Sequence, residues 1–249
     1  MKKTDKNTII LEVTDSSNNY AKQLIAEKEA AHGTVVLAYC QKKGKGHAGN
    51  HWESEANKNL LVSIVLYPDF LPAEKQFYLS KIVSLALVDL LDEEIQREEI
   101  KIKWPNDIYV NDKKMAGILI ENSVRGQYMH SSVVGIGLNL NQVNFRSELP
   151  NPISLKQVTR KYYPVEEMAA RFQEKFYVWY NHLEHQQISA IDISYFDKLY
   201  RKNEWRMFRK NDYNFEARII GIGEYGQLIL EDRNGRLSEY QFKEIEFII

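Results

Sequence analysis

The chain has 249 residues and a net charge of −1, with 44% hydrophobic and 27% charged residues. That balance suits a soluble globular protein with room for one large or two modest domains, and it offers no general basic field for recruiting nucleic acid, so any anion site must be local. One cysteine, Cys40, excludes an internal disulfide framework and fits a reducing compartment.

The start Met1-Lys2-Lys3 is basic, but no signal-type apolar segment follows it. No apolar run of about 18 residues occurs either, so no membrane association is expected and the cytoplasm is the expected location. Residues 8–13 read as a first strand. Asp15-Ser16-Ser17-Asn18 then supplies N-cap residue types for a helix predicted over 18–31 and stopping near Gly33. Strands are predicted over 34–39, with Cys40 as a small strand residue beside it, and over 60–67. Between them lies a polar, glycine-bearing loop of about twenty residues, long enough in a compact domain to suggest function. A helix is predicted over 72–91, with Leu79, Val83, Ala86 and Leu90 on one face.

Ile100 and Ile102 alternate with Lys101 and Lys103, the period of a half-buried strand. Pro105 ends it, having no ladder N–H and biasing Trp104 towards extended backbone. Ile108-Tyr109-Val110, the polar Asn111-Asp112 and the run 115–120 then read as a hairpin, followed by strands around 127–141. Val165, Ala169, Phe172, Phe176, Trp179 and Leu183 form a helical stripe that core packing explains. A short helix is predicted over 195–201. From Trp205 the texture changes to short strands and tight turns, such as Asp232-Arg233-Asn234-Gly235, which suggest a small SH3-like or OB-like barrel.

The hairpin places Asp107 and Lys114 on its two arms, so a carboxylate and an ammonium can share one mouth. A surface hairpin with solvated charges is the plain alternative. The run from Lys103 to Glu121, KWPNDIYVNDKKMAGILIE, resembles the core signature KWPNDxYxxxxKxxGILxE of biotin protein ligases, also called biotin–[acetyl-CoA-carboxylase] ligases, at every specified letter. The loop Gln41-Lys42-Lys43-Gly44-Lys45-Gly46-His47-Ala48-Gly49-Asn50-His51-Trp52-Glu53-Ser54 lacks the spacing of a Walker loop and by itself describes a solvated basic loop. Beside the hairpin it resembles the family's adenylate loop GRGRxGRxWxS through Gly44, Gly46, Gly49, Trp52 and Ser54. Lys45, His47 and Asn50 replace its arginines, and lysine lacks the planar fork that grips a phosphate and a carboxylate together. Ser16-Ser17-Asn18 is a helix cap by position and resembles the family's STN segment, with Ser17 for threonine. Gly135-Ile136-Gly137-Leu138-Asn139-Leu140-Asn141 reads equally as a strand end and as the family's GIGxNxN.

The resemblance implies an α+β fold: a mixed-sheet biotin/lipoate ligase-like catalytic domain over 1–203 and an SH3-like β-barrel over 204–249. It implies an ATP-dependent ligase that makes biotinyl-5′-AMP and transfers biotin to a lysine of a biotin carboxyl carrier domain. Lys114 and Asp107 are the implied catalytic pair, with Asp107 also a candidate Mg²⁺ ligand. Ser16, Ser17, Asn18, Gln41, Gly44, Lys45, Lys114 and Gly117 are the implied biotin contacts. Lys45, Gly46, His47, Trp52, Asn106 and Asn139 are the implied ATP and adenylate contacts, with Trp52 either stacking on adenine or serving as core. A lipoate–protein ligase is the neighbouring alternative, but its RRxxGGGxVxHD loop is absent. A biotin-sensing repressor needs a DNA-reading domain before the first strand, and about seven residues precede Thr8, so a monofunctional enzyme without DNA binding is expected. Homodimerisation stays open, and the six histidines show no zinc-ligand spacing.

Overall fold

β-branched and leucine-rich runs assemble one seven-stranded mixed sheet that carries most of the core. The computed structural model describes residues 7–95, 99–146 and 151–248. Its sheet contains β1 (Thr8–Leu11), β2 (Val35–Ala38), β3 (Leu60–Leu66), β4 (Ile100–Lys103), β5 (Asp107–Val110), β6 (Lys113–Arg125) and β7 (Tyr128–Leu138) in the order β1-β2-β3-β7-β6-β5-β4. β1 and β2 pair in parallel through the crossover helix α1 (Ser17–Ala26), while the other neighbours are antiparallel.

Helices cover both faces, which is why the central strand β3, LLVSIVL, is buried along its whole length. Val36, Val65 and Val133 meet Ala21 and Leu24 of α1 on one face. Leu37, Val62 and Ile64 join α2 (Phe77–Asp92) on the other. The expected apolar face of α2 is buried, but so are Ile82, Leu87 and Leu91, because α4 (Val165–Glu184) and α5 (Ile188–Asp197) pack against it as well. Val165, Ala169, Phe172, Phe176 and Leu183 are buried as the stripe predicts, with Trp179 half-buried and donating to Asp89 Oδ2 at 2.7 Å.

Several boundaries differ from expectation: the first strand ends at Leu11 rather than at residue 13, and α2 begins at Phe77 rather than at 72, after a 3₁₀ turn over Ala73–Lys75. α1 stops at Ala26 rather than running to residue 31, because Lys28 takes a left-handed φ of 60° and the Glu29 N–H turns back to the Leu24 carbonyl. The helix expected over 195–201 is α5, which lies earlier; the chain leaves it through left-handed Arg201 and Asn203. Cys40 sits past the end of β2, where its carbonyl accepts the Thr14 N–H. A short helix, α3 (Leu155–Thr159), was not anticipated; Ser154 and Gln157 close a capping box at its start.

A second, antiparallel sheet follows, with β8 (Trp205–Lys210), β9 (Tyr213–Ile222), β10 (Leu228–Asp232), β11 (Leu237–Tyr240) and β12 (Glu246–Phe247) in the order β11-β10-β9-β8-β12. Phe208, Ala217, Ile219, Leu228 and Leu230 fill it and merge with the main core. The Trp104 indole N–H donates 2.8 Å to the Gly226 carbonyl across the join. Among the described residues, no helix is long and apolar enough to cross a membrane.

Candidate functional site

A register slip builds the charged end of the site. Asp107 lies opposite Gly117 and Ile108 opposite Ala116, but Tyr109 then faces Lys114, leaving Met115 as an extra residue on β6. With strict alternation Lys114 would share a face with Ala116 and Ile118, which lie in the core on the α2 side. The bulge turns it instead to the face of Asp107 and Gly117. There the Lys114 ammonium sits 2.7 Å from Asp107 Oδ1, with side chains 29% and 16% exposed. The backbone of Lys114 is also held from its free edge, donating to the Asn151 carbonyl at 2.8 Å and accepting from Ile153 at 2.9 Å. Lys103 lies opposite Asp107 on β4, so two lysines flank one carboxylate. Burial lowers the Lys103 pKa, against the opposing pull of Asp107.

Glycines pave the sheet beside this pair. Gly117 and Gly137 are cross-strand partners, and the Trp52 indole rests on both. A Cβ on Gly137 would lie 2.3 Å from Trp52 Cε2, and one on Gly117 2.8 Å from Cζ3. The space that glycine leaves over residue 117 is thus filled by tryptophan, whose Nε1 is buried and has no hydrogen-bond partner among the described residues. Lys114 Nζ lies 5.7 Å from the indole centroid, within cation–π range.

The opposite end is lined by neutral groups, backed by one ion pair. Ser16, Ser17 and Asn18 are all buried at the start of α1. Ser16 occupies the N-cap position, yet its side chain makes no capping bond, which removes the support for a simple cap reading. The Ser17 backbone N–H donates to Gln41 Oε1 at 2.7 Å. Ser63 Oγ lies 2.8 Å from Ser17 Oγ and 2.6 Å from Asn18 Oδ1. The Asn18 amide donates to the Leu119 carbonyl at 3.2 Å and to Glu121 Oε2 at 2.9 Å, and Lys22 meets Glu121 Oε1 at 2.6 Å. Burial pushes the Glu121 pKa up, but the hydrogen bonds from Lys22 and Asn18 outweigh it and leave the carboxyl below its ordinary range. Gly135 makes room for this network, since a Cβ there would lie 2.1 Å from Asn18 Oδ1.

The long loop folds back over the cleft. Trp52 N–H donates to the Gly44 carbonyl at 2.9 Å, Gly46 N–H to the Asn50 carbonyl at 2.7 Å, and a bridge joins Lys45 to His51. One 3₁₀ turn, His47–Gly49, forms the tip, with Gly49 at a φ of +89° that suits glycine. Lys45 reaches Asn19 Oδ1 at 2.7 Å, whereas Lys43 turns outward to an exposed pair with Asp15. Burial lowers the His47 pKa; the Asp107 charge opposes this and the Lys243 and Lys114 charges add to it.

Of the residues predicted from sequence, all but Gly44, Asp107 and Asn139 line a single cleft. Gly44 stands behind it, shaping the loop: a Cβ there would lie 2.5 Å from the Trp52 carbonyl. Asp107 acts on the cleft through Lys114. Asn139 is buried behind Lys114, donating to the Ile153 carbonyl at 3.2 Å, and its Oδ1 has no partner among the described residues. Asn106 lines the cleft and also clamps the edge of β6, accepting the Ile118 N–H at 2.8 Å and donating to its carbonyl at 2.9 Å. Ser63, Lys22 and Glu121 were not anticipated as site residues. One serine inside the apolar run of β3 was the available signal, since a buried hydroxyl requires a partner. The cleft is partly open, and the Trp52 indole covers Gly117 and Gly137, so a ligand lying on those glycines must displace the indole.

The fold and cleft are those of a ligand-binding enzyme domain, and similarity to known proteins gives the family. The model of the biotin/lipoate A/B protein ligase family matches residues 10–139, and the chain belongs to that family. A biotin–[acetyl-CoA-carboxylase] ligase of Paracoccus denitrificans is 30% identical over 228 residues, covering 90% of this chain and 93% of its own. The bifunctional ligase/repressor BirA of Bacillus subtilis is 29% identical over 233 residues, covering 90% of this chain and 69% of its own. The biotin protein ligase from Aquifex aeolicus, solved in complex with biotin and ATP, shares the fold with a TM-score of 0.82 at 24% identity, over 98% of this chain and 99% of that one.

Proposed function

We propose that this chain activates biotin with ATP to biotinyl-5′-AMP, releasing pyrophosphate, and then transfers biotin to a lysine of a biotin carboxyl carrier domain in the cytoplasm, the lysine amine displacing AMP from the mixed anhydride. The observation that carries the reading is the bulge-placed Lys114–Asp107 pair at one end of a cleft whose other end is a buried network of neutral donors and acceptors. A ureido ring needs a few directed hydrogen bonds in a dry setting, which Ser16, Ser17, Asn18 and Gln41 supply. With the Trp52 indole moved off Gly117 and Gly137, its carboxylate points along the glycine floor towards Lys114. There the ammonium lowers the repulsion between carboxylate and α-phosphate as the new P–O bond forms, a charge that grows in the transition state. Lys45 and Lys103 add positive charge around the triphosphate. His47, its pKa held down by burial, contributes a ring rather than a charge near neutral pH.

Magnesium fits this site only as a partner of the nucleotide. Among the described residues no group of three or more carboxylate, histidine or cysteine side chains converges on a metal position. One carboxylate plus phosphate oxygens is, however, an ordinary Mg²⁺ donor set, and Asp107 would supply that carboxylate once its ion pair with Lys114 opens to the nucleotide. Bound there, the ion would offset triphosphate charge. Residues 204–249 form the proposed C-terminal domain, the division following the change from one sheet to the other.

The test is pyrophosphate release from ATP with biotin and lipoate assayed side by side. Release with biotin alone is the expected result. Equal or faster release with lipoate would assign the neutral end to a different ligand.

A further inference from the structure

The tip of the glycine loop is docked on the C-terminal sheet unit. His47 meets Phe242 edge-to-face, with ring centroids 4.2 Å apart and an interplanar angle of 81°. Phe242 lies between β11 and β12, so a residue outside the catalytic sheet touches the loop that closes the cleft. Its own position is braced. The Trp104 ring lies 6.3 Å away, and Trp104 is tied to the Gly226 carbonyl at 2.8 Å. Gly226 has a φ of +91°, and a Cβ there would lie 2.5 Å from Phe77 Cγ, so this turn is pressed against the start of α2.

The His47 ring is held by packing. Its Nδ1 is buried and has no hydrogen-bond partner among the described residues, which leaves the ring contact with Phe242 as its defining one. Such a contact is small, but it acts at the end of a loop tied down elsewhere by short backbone bonds and the Trp52 indole.

We propose that Phe242 is a positioning residue: through His47 it holds the tip of the glycine loop over the cleft, and so sets how readily the loop opens. The contact stands independently of the ligase reading; its consequence for turnover rests on that reading.

Trypsin reports opening directly, because Lys42, Lys43 and Lys45 all lie in the loop. In the full-length protein without ligand, Phe242→Ala should accelerate cleavage at these sites about two- to tenfold, the effect of losing one aromatic pair. Phe242→Tyr should restore the slow rate. A double-mutant cycle separates loss of this contact from loosening of the C-terminal unit: Phe242→Ala should add nothing in a His47→Ala background. Equal cleavage of the wild type and Phe242→Ala, or the same acceleration with and without His47, overturns the proposal. In turnover, Phe242→Ala should raise KM for biotin and ATP by a similar factor with kcat kept, and a loss in kcat at unchanged KM counts against positioning. A wild-type protein that releases no pyrophosphate sinks the ligase reading but leaves the cleavage result to judge the loop.

Discussion

The two ends of the cleft are built differently. At the neutral end, Ser17, Asn18 and Ser63 are buried almost completely and Gln41 is half-buried, all fixed by short hydrogen bonds among helix, sheet and loop. At the charged end, Lys114 and Asp107 keep partial exposure and depend on a bulge and on the edge segment 151–153 for their aim. A buried network can hold a ligand with little reorganisation, since its groups are already oriented. A partly wet ion pair holds weakly but can exchange partners when an anion arrives. On the proposed function, this contrast puts recognition at the first end and chemistry at the second.

The largest effect expected concerns the charged end alone. Chelation of divalent cations with EDTA should stop adenylation while biotin binding remains measurable by calorimetry, because only the triphosphate needs the ion. Full turnover in excess EDTA removes metal from the mechanism. Gly135→Ala should act at the neutral end, since its Cβ would drive Asn18 out of its bonds to Ser63 and Glu121. We expect a loss of about 1–3 kcal/mol in biotin affinity from a protein that still folds. An unchanged Kd would mean that Asn18 is not part of recognition.

Trp52 lies between the two ends and sharpens the comparison. Trp52→Ala should weaken use of ATP by about 1–3 kcal/mol, by analogy with base stacking on an aromatic ring, and biotin binding by less. Equal losses for both substrates would make the indole a floor for the whole cleft. The smallest effect expected is acid sensitivity at Glu121. Its carboxyl is held below the ordinary range, so its stabilising contribution is complete above that range and is lost as pH falls through the lowered value. Glu121→Gln should therefore reduce the loss of stability between neutral and acid pH, by under about 1 kcal/mol given the exposure of its partner Lys22. Matching pH profiles for the two proteins would leave Glu121 without that role.

Much of this was legible in the sequence because the signals were local. The apolar runs marked the strands and the α4 stripe, and the signature from Lys103 to Glu121 marked the hairpin and its charges. The mechanism that aims Lys114 was not legible. The run Lys113 to Ile120 fits a strand in any register, and only pairing with β5 and β7 shows Met115 to be the extra residue. Early termination of α1 was hidden because alanines at 30 and 31 favour helix, while the left-handed turn at Lys28 arises from tertiary context. Asn139 read as a cleft residue from its motif, but its side chain is committed to the segment behind Lys114. Contacts between distant segments, Ser63 with Asn18 and His47 with Phe242, leave no periodic trace at all.

The separation of recognition from chemistry is tested most directly by measuring both on one variant. For Lys114→Ala, biotin affinity should stay close to that of the wild type, while single-turnover formation of biotinyl-5′-AMP falls roughly 10²–10³-fold, about 2.7–4 kcal/mol, as for loss of one preorganised donor. Lys113→Ala, exposed at the neighbouring position, should leave both near wild type. A fall in biotin affinity as large as the fall in rate, or equal rates in Lys114→Ala and Lys113→Ala, would contradict the division of labour along the cleft.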